Sequence, residues 1–285
     1  MDILSIGNLF HSQSFYVKDF SKTDSETSIE KTAKKIGGAA LVTTAVAKFL
    51  GFNSYLCANI CQTQEFTKFF EELNHYKLSQ KYLCINQQSN NEILTIYNHK
   101  GERQCYTYLK NGTSVKSYND TNKVWDIVFF CCLDAEIVKS IIETKSIKSK
   151  HFVLLASGLI YDYFKKDRCL IDGIDFLFVN AGEAKNLSQT EDIHKTYSDL
   201  QNKINGKLII TLGEEGALCS VNGEQIIFPT LYKPNIVHLG GAGDAFATGF
   251  TTSFIQNFSI NESMNKGHQT ASKIIEVINP LDILR

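Results

Sequence analysis

The stretch with the clearest chemical potential is Gly-Gly-Ala-Gly-Asp-Ala-Phe at residues 240–246. Small residues precede an acid and apolar residues at helical spacing follow it, which predicts a loop that enters the N-terminus of a buried helix. The backbone N–H groups of Gly241, Ala242 and Gly243 would lie at the positive end of the helix dipole, where they can bind an anion. Asp244 would then accept the proton of a hydroxyl that attacks a phosphoryl group. An ordinary glycine turn with an acid in the first helical turn is the alternative interpretation.

Polar residues also follow two other predicted strands. After residue 123, apolar runs of strand length alternate with helical patterns, which predicts a parallel sheet with helices on both faces. Asn180 and Glu183 follow one of these strands, and Thr211, Gly213 and Gly216 follow another. Ligands of such sheets bind beyond the carboxyl ends of the strands, so these residues are expected to converge on one site. Asn180 with Glu183 also fits a helix capping box, which is a structural alternative.

Two further glycines lie near the N-terminus of the chain. Gly37 and Gly38 open a predicted helix that ends at Gly51. They would let a ligand approach the backbone, and tight packing of the helix is the structural alternative.

The segments between these elements predict an accessory sheet. A polar connector follows residue 17, and apolar and polar side chains then alternate in three segments, residues 82–86, 92–97 and 104–109. We interpret the alternating segments as an exposed antiparallel ribbon that acts as a lid, formed by about 12–35 and 82–112. The apolar face of this lid needs a cover, either the substrate or a second copy of the chain, so a homodimer through the lid is a further hypothesis.

Composition limits the classes of function. The chain has 285 residues, 43% of them hydrophobic and 21% charged, as in a globular protein with a sizeable core. We expect one domain over residues 1–285, because no linker-like segment divides the sequence. A net charge of −1 without a basic cluster argues against nucleic-acid binding. No segment reaches the roughly 18 apolar residues of a membrane span, and no signal peptide pattern opens the chain, which predicts a cytoplasmic protein.

The eight cysteines include the adjacent pair Cys131 and Cys132 within an apolar strand, and no C-x-x-C motif occurs. We interpret the cysteines as buried thiols in a reducing compartment rather than as metal ligands or disulfides.

Over nearly its whole length the chain resembles the ribokinase family of carbohydrate kinases, also called PfkB. Four motifs carry the resemblance in the order and spacing of that family: Gly37-Gly38, Asn180 with Glu183, Thr211-Leu212-Gly213 with Gly216, and Gly241-Ala242-Gly243-Asp244. Their joint occurrence is highly specific.

The resemblance implies a ribokinase-like α/β fold with a mostly parallel central sheet, helices on both faces and a small β-ribbon lid. It implies an enzyme that transfers the γ-phosphoryl group of ATP to a hydroxyl of a small acceptor, with Asp244 as the base and the N–H groups of residues 241–243 as the anion site. Asn180 and Glu183 would act on Mg²⁺ through water, because this ion keeps most of its hydration shell.

The resemblance also implies contacts to the rest of the nucleotide. Thr211, Gly213 and Gly216 would line the triphosphate and the ribose, and the stretch from Gly267 to Ser272 would lie near the adenine. A face of small residues for helix packing explains that stretch equally well.

The acceptor side departs from the family pattern. Ser12 stands where the family has a substrate-binding Asp, Val42 replaces an Asn, and His238-Leu239 replaces an Asp-Thr pair. Polar groups that bind sugar hydroxyls are therefore replaced. The candidates for substrate binding are Asn8, His11, Ser12, Gly37 and Gly38.

The sequence thus predicts an ATP-dependent kinase of a small sugar or polyol. The stretches Gly-Asn-x-x-His and Gly-Gly-Ala-Ala are similar to those of inositol-kinase members, which favours a cyclitol or a sugar. The alternatives are a nucleoside kinase of the same fold and a catalytically weak relative that binds nucleotide or sugar and acts through partners.

Overall fold

The computed structural model describes residues 1–60, 64–85, 91–99, 103–108, 118, 120–156 and 172–285. Its strands are β1 (Asp2–Gly7), β2 (Phe10–Val17), β3 (Ile29–Gly37), β4 (Asn53–Ile60), β5 (Ser79–Ile85), β6 (Glu92–Tyr97), β7 (Arg103–Tyr108), β8 (Val124–Cys131), β9 (Lys148–Leu155), β10 (Phe176–Asn180), β11 (Lys207–Thr211), β12 (Ala217–Val221) and β13 (Glu224–Phe228). Its helices are α1 (Ala39–Phe49), α2 (Gln64–His75), α3 (Ala135–Thr144), α4 (Ala181–Ser188), α5 (Ile193–Gln201), α6 (Ala242–Ile255) and α7 (Ile260–Ile274). In these ranges no helix has the length and apolar character needed to cross a membrane.

Nine of the described strands form one sheet in the order β13-β12-β11-β10-β9-β8-β1-β4-β5. The strands from β11 to β5 in this order run parallel, and β12 runs antiparallel between β11 and β13. The predicted α/β fold with a mostly parallel central sheet is confirmed. The carboxyl ends of the parallel strands consequently lie at one edge of the sheet, where ligands of such folds bind.

Helices cover both faces of this sheet, and successive side chains of each strand point to opposite faces. Ile3 and Ile209 belong to the core that includes α1, α6 and α7. Their neighbours Leu4 and Leu208 belong to the core that includes α3, α4 and α5. All four side chains are fully buried. Burial on both faces explains why the strands appear in the sequence as continuous apolar runs rather than alternating ones.

Helix α6, which carries the Gly-Ala-Gly-Asp motif, is held between the sheet and α7. The ring of Phe250 meets Phe178 of β10 edge-on, with 5.7 Å between the centroids. The hydroxyl of Thr270 in α7 donates a hydrogen bond to the carbonyl oxygen of Ala245 at 2.7 Å. Apolar packing on one side and a buried hydrogen bond on the other therefore fix this helix against the sheet.

A second sheet, which we call the lid sheet, contains the strands β3, β2, β6 and β7 in that order. Strand β2 pairs antiparallel with β3 and parallel with β6, and β6 pairs antiparallel with β7. The prediction of a polar connector after residue 17 is wrong for residues 29–35, which belong to β3. This strand is exposed along most of its length, so it depends on backbone pairing and lacks the apolar alternation that reveals half-buried strands.

The prediction that the lid begins again at residue 82 is also wrong. Residues 79–85 form β5, which pairs in parallel with β4 at the edge of the nine-stranded sheet. Tyr82 is 1% exposed, and its ring lies 5.7 Å from that of Trp125, measured between centroids. Alternation is typical of any half-buried strand, so it does not tell a strand of the main sheet from one of the lid. Residues 86–90, 100–102 and 109–112 of the predicted lid lie outside the described residues.

The contact between α6 and α7 gives a test of the fold. A Cβ at Gly249 would lie 2.7 Å from the carbonyl oxygen of Lys266 and still closer to the hydroxyl of Thr270. We expect Gly249→Ala to lower the free energy of unfolding by about 1–3 kcal/mol, although Ala favours helices over Gly by about 1 kcal/mol. Urea denaturation measures the change, and a midpoint equal to or above that of the parent protein would contradict the expected clash.

Candidate active site

The N-terminus of α6 has the geometry that anion binding requires. Gly241 is its N-cap residue in a left-handed conformation, with φ of 88°, and a Cβ there would lie 2.9 Å from Cγ2 of Val42. The N–H of Ala245 donates to the carbonyl oxygen of Gly241 at 2.9 Å, so the N–H groups of Ala242 and Gly243 precede the intrahelical bonds. A Cβ at Gly243 would meet no atom within 4 Å, so open space lies in front of this turn.

Two cavities meet at this turn. The first, of about 470 Å³, lies between the lid sheet and the start of α1, and we call it the lid cavity. The second, of about 530 Å³, lies beyond the ends of β10 and β11, and we call it the strand-end cavity. Cys132, Gly241 and Asp244 line both cavities. Asp244 therefore faces the region where a ligand in one cavity would contact a ligand in the other.

Four of the predicted nucleotide contacts line the strand-end cavity: Asn180, Glu183, Thr211 and Gly213. The side-chain oxygen of Asn180 accepts the N–H of Glu183 at 2.8 Å, and the carboxylate of Glu183 accepts the N–H of Asn180 at 2.9 Å. The capping box considered as an alternative is thus present at the start of α4. It does not exclude a binding role, because the same two hydrogen bonds hold both side chains at the cavity wall.

The donor atoms at this wall fit a Mg²⁺ ion that is held through water. The described residues include no cluster of three or more His, Cys, Asp or Glu side chains suited to hold a metal ion. In phosphoryl-transfer sites Mg²⁺ keeps several waters and binds phosphate oxygens, so one carboxylate and one amide oxygen are a sufficient protein contribution. Glu183 and Asn180 provide these two groups.

The other three predicted nucleotide contacts do not line the strand-end cavity. Gly216 has φ of 109° and its Cβ position is blocked by the carbonyl oxygen of Phe228, so this glycine serves the turn between β11 and β12. A Cβ at Gly267 would lie 2.8 Å from two ring carbons of Phe246, and Ser272 donates a hydrogen bond within its own helix at 2.8 Å. Helix packing explains the small residue at position 267.

Among the predicted substrate contacts, Ser12, Gly37 and Gly38 line the lid cavity, whereas Asn8 and His11 do not. Asn8 is 4% exposed, and its carbonyl oxygen occupies the position that a Cβ on Gly38 would take. His11 precedes Ser12 along β2, so their side chains point to opposite faces of the lid sheet. Asn8 therefore supports the site through backbone packing, and His11 faces away from the cavity.

Sequence reasoning missed a polar cluster on the wall of the lid cavity, formed by Lys35, Tyr97 and His238. Nε2 of His238 lies 2.9 Å from the hydroxyl of Tyr97 and 3.3 Å from Nζ of Lys35. Nδ1 of the same ring accepts the N–H of Gly240 at 3.0 Å. His238 therefore connects two lid strands with the loop that leads into α6. The available signal was the replacement of Asp by His238 in an otherwise matching motif.

Cys132 forms the wall between the two cavities. It follows β8 in a left-handed conformation with φ of 54°, which is uncommon for a residue other than glycine and is frequent at functional sites. The preceding thiol of Cys131 is buried, and burial together with the nearby carboxylate of Asp244 raises its pKa. Cys131 therefore stays protonated at neutral pH and is not a candidate base. The six described cysteines form no disulfide bonds, and the predicted burial holds for Cys57, Cys131 and Cys219 but not for Cys105, which is exposed.

Kinases are among the known proteins that are similar to this chain. A family model described as pfkB family carbohydrate kinase matches residues 2–282. A nucleoside kinase from Methanocaldococcus jannaschii is 22% identical over 277 residues, which span 96% of this chain and 90% of that protein. A ribokinase from Cryptococcus neoformans in complex with ADP has a similar fold, with a TM-score of 0.79, 16% identity and coverage of 99% of this chain and 96% of that chain. A nucleoside kinase from Burkholderia thailandensis in complex with inosine also has a similar fold, with a TM-score of 0.79 and 13% identity. The match covers 99% of this chain and 94% of that chain.

The open space beside Gly243 gives a test of the anion site. We expect Gly243→Ala to keep or raise the free energy of unfolding, because Ala is the better helix former by up to about 1 kcal/mol. The added Cβ would occupy the space in front of the N–H groups, so ATP-dependent phosphoryl transfer should fall by about 10²-fold or more. Gly249→Ala is the matched control, which should lose stability and retain turnover at temperatures where it is folded. Turnover of Gly243→Ala equal to that of the parent would show that this turn does not contact the transferred group.

Proposed function

The chain belongs to the pfkB family of carbohydrate kinases, and from this premise we propose that it transfers the γ-phosphoryl group of ATP to a hydroxyl group of a small sugar or polyol. The observation that carries the proposal is the position of Asp244, which lines both cavities and lies in the first turn of α6. A base in this position can reach a hydroxyl in the lid cavity, and the helix N-terminus beside it favours the negative charge of a phosphoryl group.

In the proposed reaction, ATP occupies the strand-end cavity and the acceptor occupies the lid cavity. The acceptor oxygen forms a bond to the γ-phosphorus while the bond between this phosphorus and the bridging oxygen of ADP breaks, and the hydroxyl proton passes to the carboxylate of Asp244. The N–H groups of Ala242 and Gly243 stabilise the charge on the transferred group. Mg²⁺, which Asn180 and Glu183 would hold through water, would neutralise charge on the phosphates when bound.

The lid cavity supports a small polyhydroxy acceptor. Its volume of about 470 Å³ lies within the range of small-molecule sites, roughly 300–1,000 Å³. Hydroxyl groups of Ser12, Thr95 and Thr107 line it, and each can both donate to and accept from an acceptor hydroxyl. A cyclitol is among the polyols that such a wall suits. A nucleoside is the second candidate acceptor, favoured by the similarity to a nucleoside kinase over nearly the whole chain.

Replacement of Asp244 tests the proposal most directly. Asp244→Asn keeps the shape of the side chain but cannot accept the hydroxyl proton, so kcat should fall by about 10²- to 10⁴-fold. The melting temperature should change little, because an acid in the first turn of a helix contributes only about 0.3–1 kcal/mol to stability. The measurement is ATP consumption with a panel of sugars, polyols and nucleosides. Turnover within a few fold of the parent would show that Asp244 is structural.

Nucleotide binding provides the control for this variant. ATP with Mg²⁺ at 100 times its Kd should stabilise the parent and Asp244→Asn alike by about 2.7 kcal/mol, because Asp244 is not a triphosphate contact in this scheme. If millimolar ATP shifted the melting temperature of neither protein, both the kinase proposal and the alternative of a nucleotide-binding relative with weak activity would be rejected.

The outer face of the lid sheet favours a homodimer, which we propose as the quaternary state. Cys105 and Thr107 of β7 line the lid cavity, so the alternating Tyr106 and Tyr108 point away from it. These two rings are 57% and 56% exposed. Strands β3 and β7 also form the edges of this sheet, and exposed edges with apolar side chains favour pairing with a second copy.

Sedimentation of the purified protein tests this arrangement. We expect a dimer at micromolar concentration, and we expect the double variant Tyr106→Lys, Tyr108→Lys to shift it toward monomer, because like charges would face each other across the two-fold interface. Lys195→Met is a suitable control, since this exposed residue lies in α5, outside the lid sheet. A parent protein that sediments as a monomer at high micromolar concentration would contradict the proposal.

A further inference from the structure

Lys35 places a positive charge on the wall of the lid cavity, and no carboxylate of the described residues forms an ion pair with it. Its Nζ donates to the carbonyl oxygen of Ile278 at 2.6 Å and lies 3.3 Å from Nε2 of His238. Five other lysines of the described ranges pair with acids, as Lys123 does with Asp2 at 2.9 Å.

His238 does not satisfy the Lys35 ammonium either. Its Nδ1 accepts the N–H of Gly240 at 3.0 Å, so the neutral ring carries its proton on Nε2. A protonated Nε2 is a donor, and an ammonium group has only donors. The 3.3 Å approach between Nζ and Nε2 is therefore not a hydrogen bond in which the ammonium donates. The carbonyl oxygen of Ile278 remains its one good acceptor in the described structure.

The surroundings of Lys35 disfavour its charge. The side chain is half-buried, and desolvation lowers its pKa to about 8. The ammonium form still predominates at neutral pH, where it lacks the counter-charge that partly buried cations normally have. A negative group bound beside Nζ would supply that charge.

The neighbouring strand adds a second donor at the same place. Ser12 of β2 lies directly opposite Lys35 of β3 in the antiparallel register, and both side chains line the lid cavity. Directly opposite residues on one face of a sheet have adjacent side chains. An ammonium group and a hydroxyl group thus stand side by side, which is a suitable arrangement for the oxygen atoms of an anion.

We propose that the acceptor carries an anionic group, a phosphate ester or a carboxylate, in addition to the hydroxyl that is phosphorylated, and that Lys35 binds this group and determines specificity for it. The inference rests on the function proposed above, since it names the acceptor class of the same site. Asp244 lines the same cavity, and none of the ion pairs found among the described residues joins it to Lys35. The base and the cation thus line one cavity, where they would contact two different groups of one acceptor.

Binding without turnover tests the inference separately from the kinase activity. Matched ligands that differ in an anionic group would be titrated calorimetrically into the nucleotide-free protein: ribose with ribose 5-phosphate, fructose with fructose 6-phosphate, and glycerol with glycerate. We expect at least one anionic ligand to bind about 10- to 100-fold more tightly than its neutral counterpart. This is the gain in affinity that one hydrogen bond to a charged group typically provides. The phosphate and carboxylate pairs distinguish the two kinds of anion.

Variants assign the preference to Lys35. In Lys35→Met the anionic ligand should lose the advantage while the neutral ligand binds within about 2-fold of its parent affinity, and Lys35→Arg should retain most of the advantage. Lys34→Met is the matched control, because Lys34 is the adjacent, exposed residue of β3 and points to the opposite face. It should behave as the parent does.

The outcomes separate this inference from the proposed function. Neutral ligands that bind as tightly as the anionic ones, or a preference for anions that persists in Lys35→Met, would overturn the role of Lys35. ATP-dependent transfer to a neutral acceptor, with no binding of any anionic ligand, would also overturn it and would leave the kinase proposal standing. Binding of anionic ligands through Lys35 without any phosphoryl transfer would support the anion site and reject the kinase proposal.

Discussion

The site depends on how α6 is held against the carboxyl edge of the parallel sheet. Aromatic rings along the helix pack edge-on against β10, as Phe250 does against Phe178 at 5.7 Å. This packing fixes the helix axis, and so it fixes the direction of the N–H groups at its first turn. A shift of the helix along the sheet would separate Asp244 from the strand ends that form the second cavity. Core packing therefore sets the position of Asp244 relative to the strand-end cavity.

His238 links that first turn to the lid. Its ring accepts the N–H of Gly240 on one side and lies 2.9 Å from the hydroxyl of Tyr97 on the other. The ring of Tyr97 in turn stacks on Tyr16, with 5.3 Å between centroids. The His238 ring thus contacts side chains of two lid strands, Lys35 of β3 and Tyr97 of β6, as well as the loop before α6. A movement of the lid would therefore change the hydrogen bonds of that loop. The wall of the lid cavity and the N-terminal turn of α6 are therefore mechanically connected.

The strand-end cavity shows how one set of contacts serves structure and chemistry together. The reciprocal hydrogen bonds between Asn180 and Glu183 satisfy backbone groups at the start of α4, and they also orient both side chains at the cavity wall. The lid cavity has no such double use of Asn8 and His11. Both residues are close to Ser12 in the sequence, but neither lines the cavity. Proximity along the chain is a guide to a site only where a helix or strand end fixes the direction of the side chains.

Much of the fold and part of the site could be predicted from local pattern. Strands buried on both faces are continuous apolar runs, and parallel strands necessarily end at one edge, so the convergence of Asn180 and Thr211 required no knowledge of contacts. Asp244 follows residues 229–241, which form no strand, and it reaches the same cavity through the packing of α6. The pattern of apolar residues did not reveal β3 as a strand, because most side chains of this strand are exposed. It also failed for β5, whose alternation suits a lid as well as an edge of the main sheet.

The sequence by itself determined the parallel sheet, the glycine-rich entry into α6 and the acid at its first turn. The sheet follows from the apolar runs of its buried strands, and the other two features follow from residues that are neighbours along the chain. Only the tertiary structure decided what faces the acceptor. Lys35 and His238 are separated by 203 positions, and their approach depends on the pairing of β3 with β2 and on the closure of the lid over the loop before α6. The charge of that cavity, on which the proposed choice of acceptor rests, arises from contacts that no local pattern encodes.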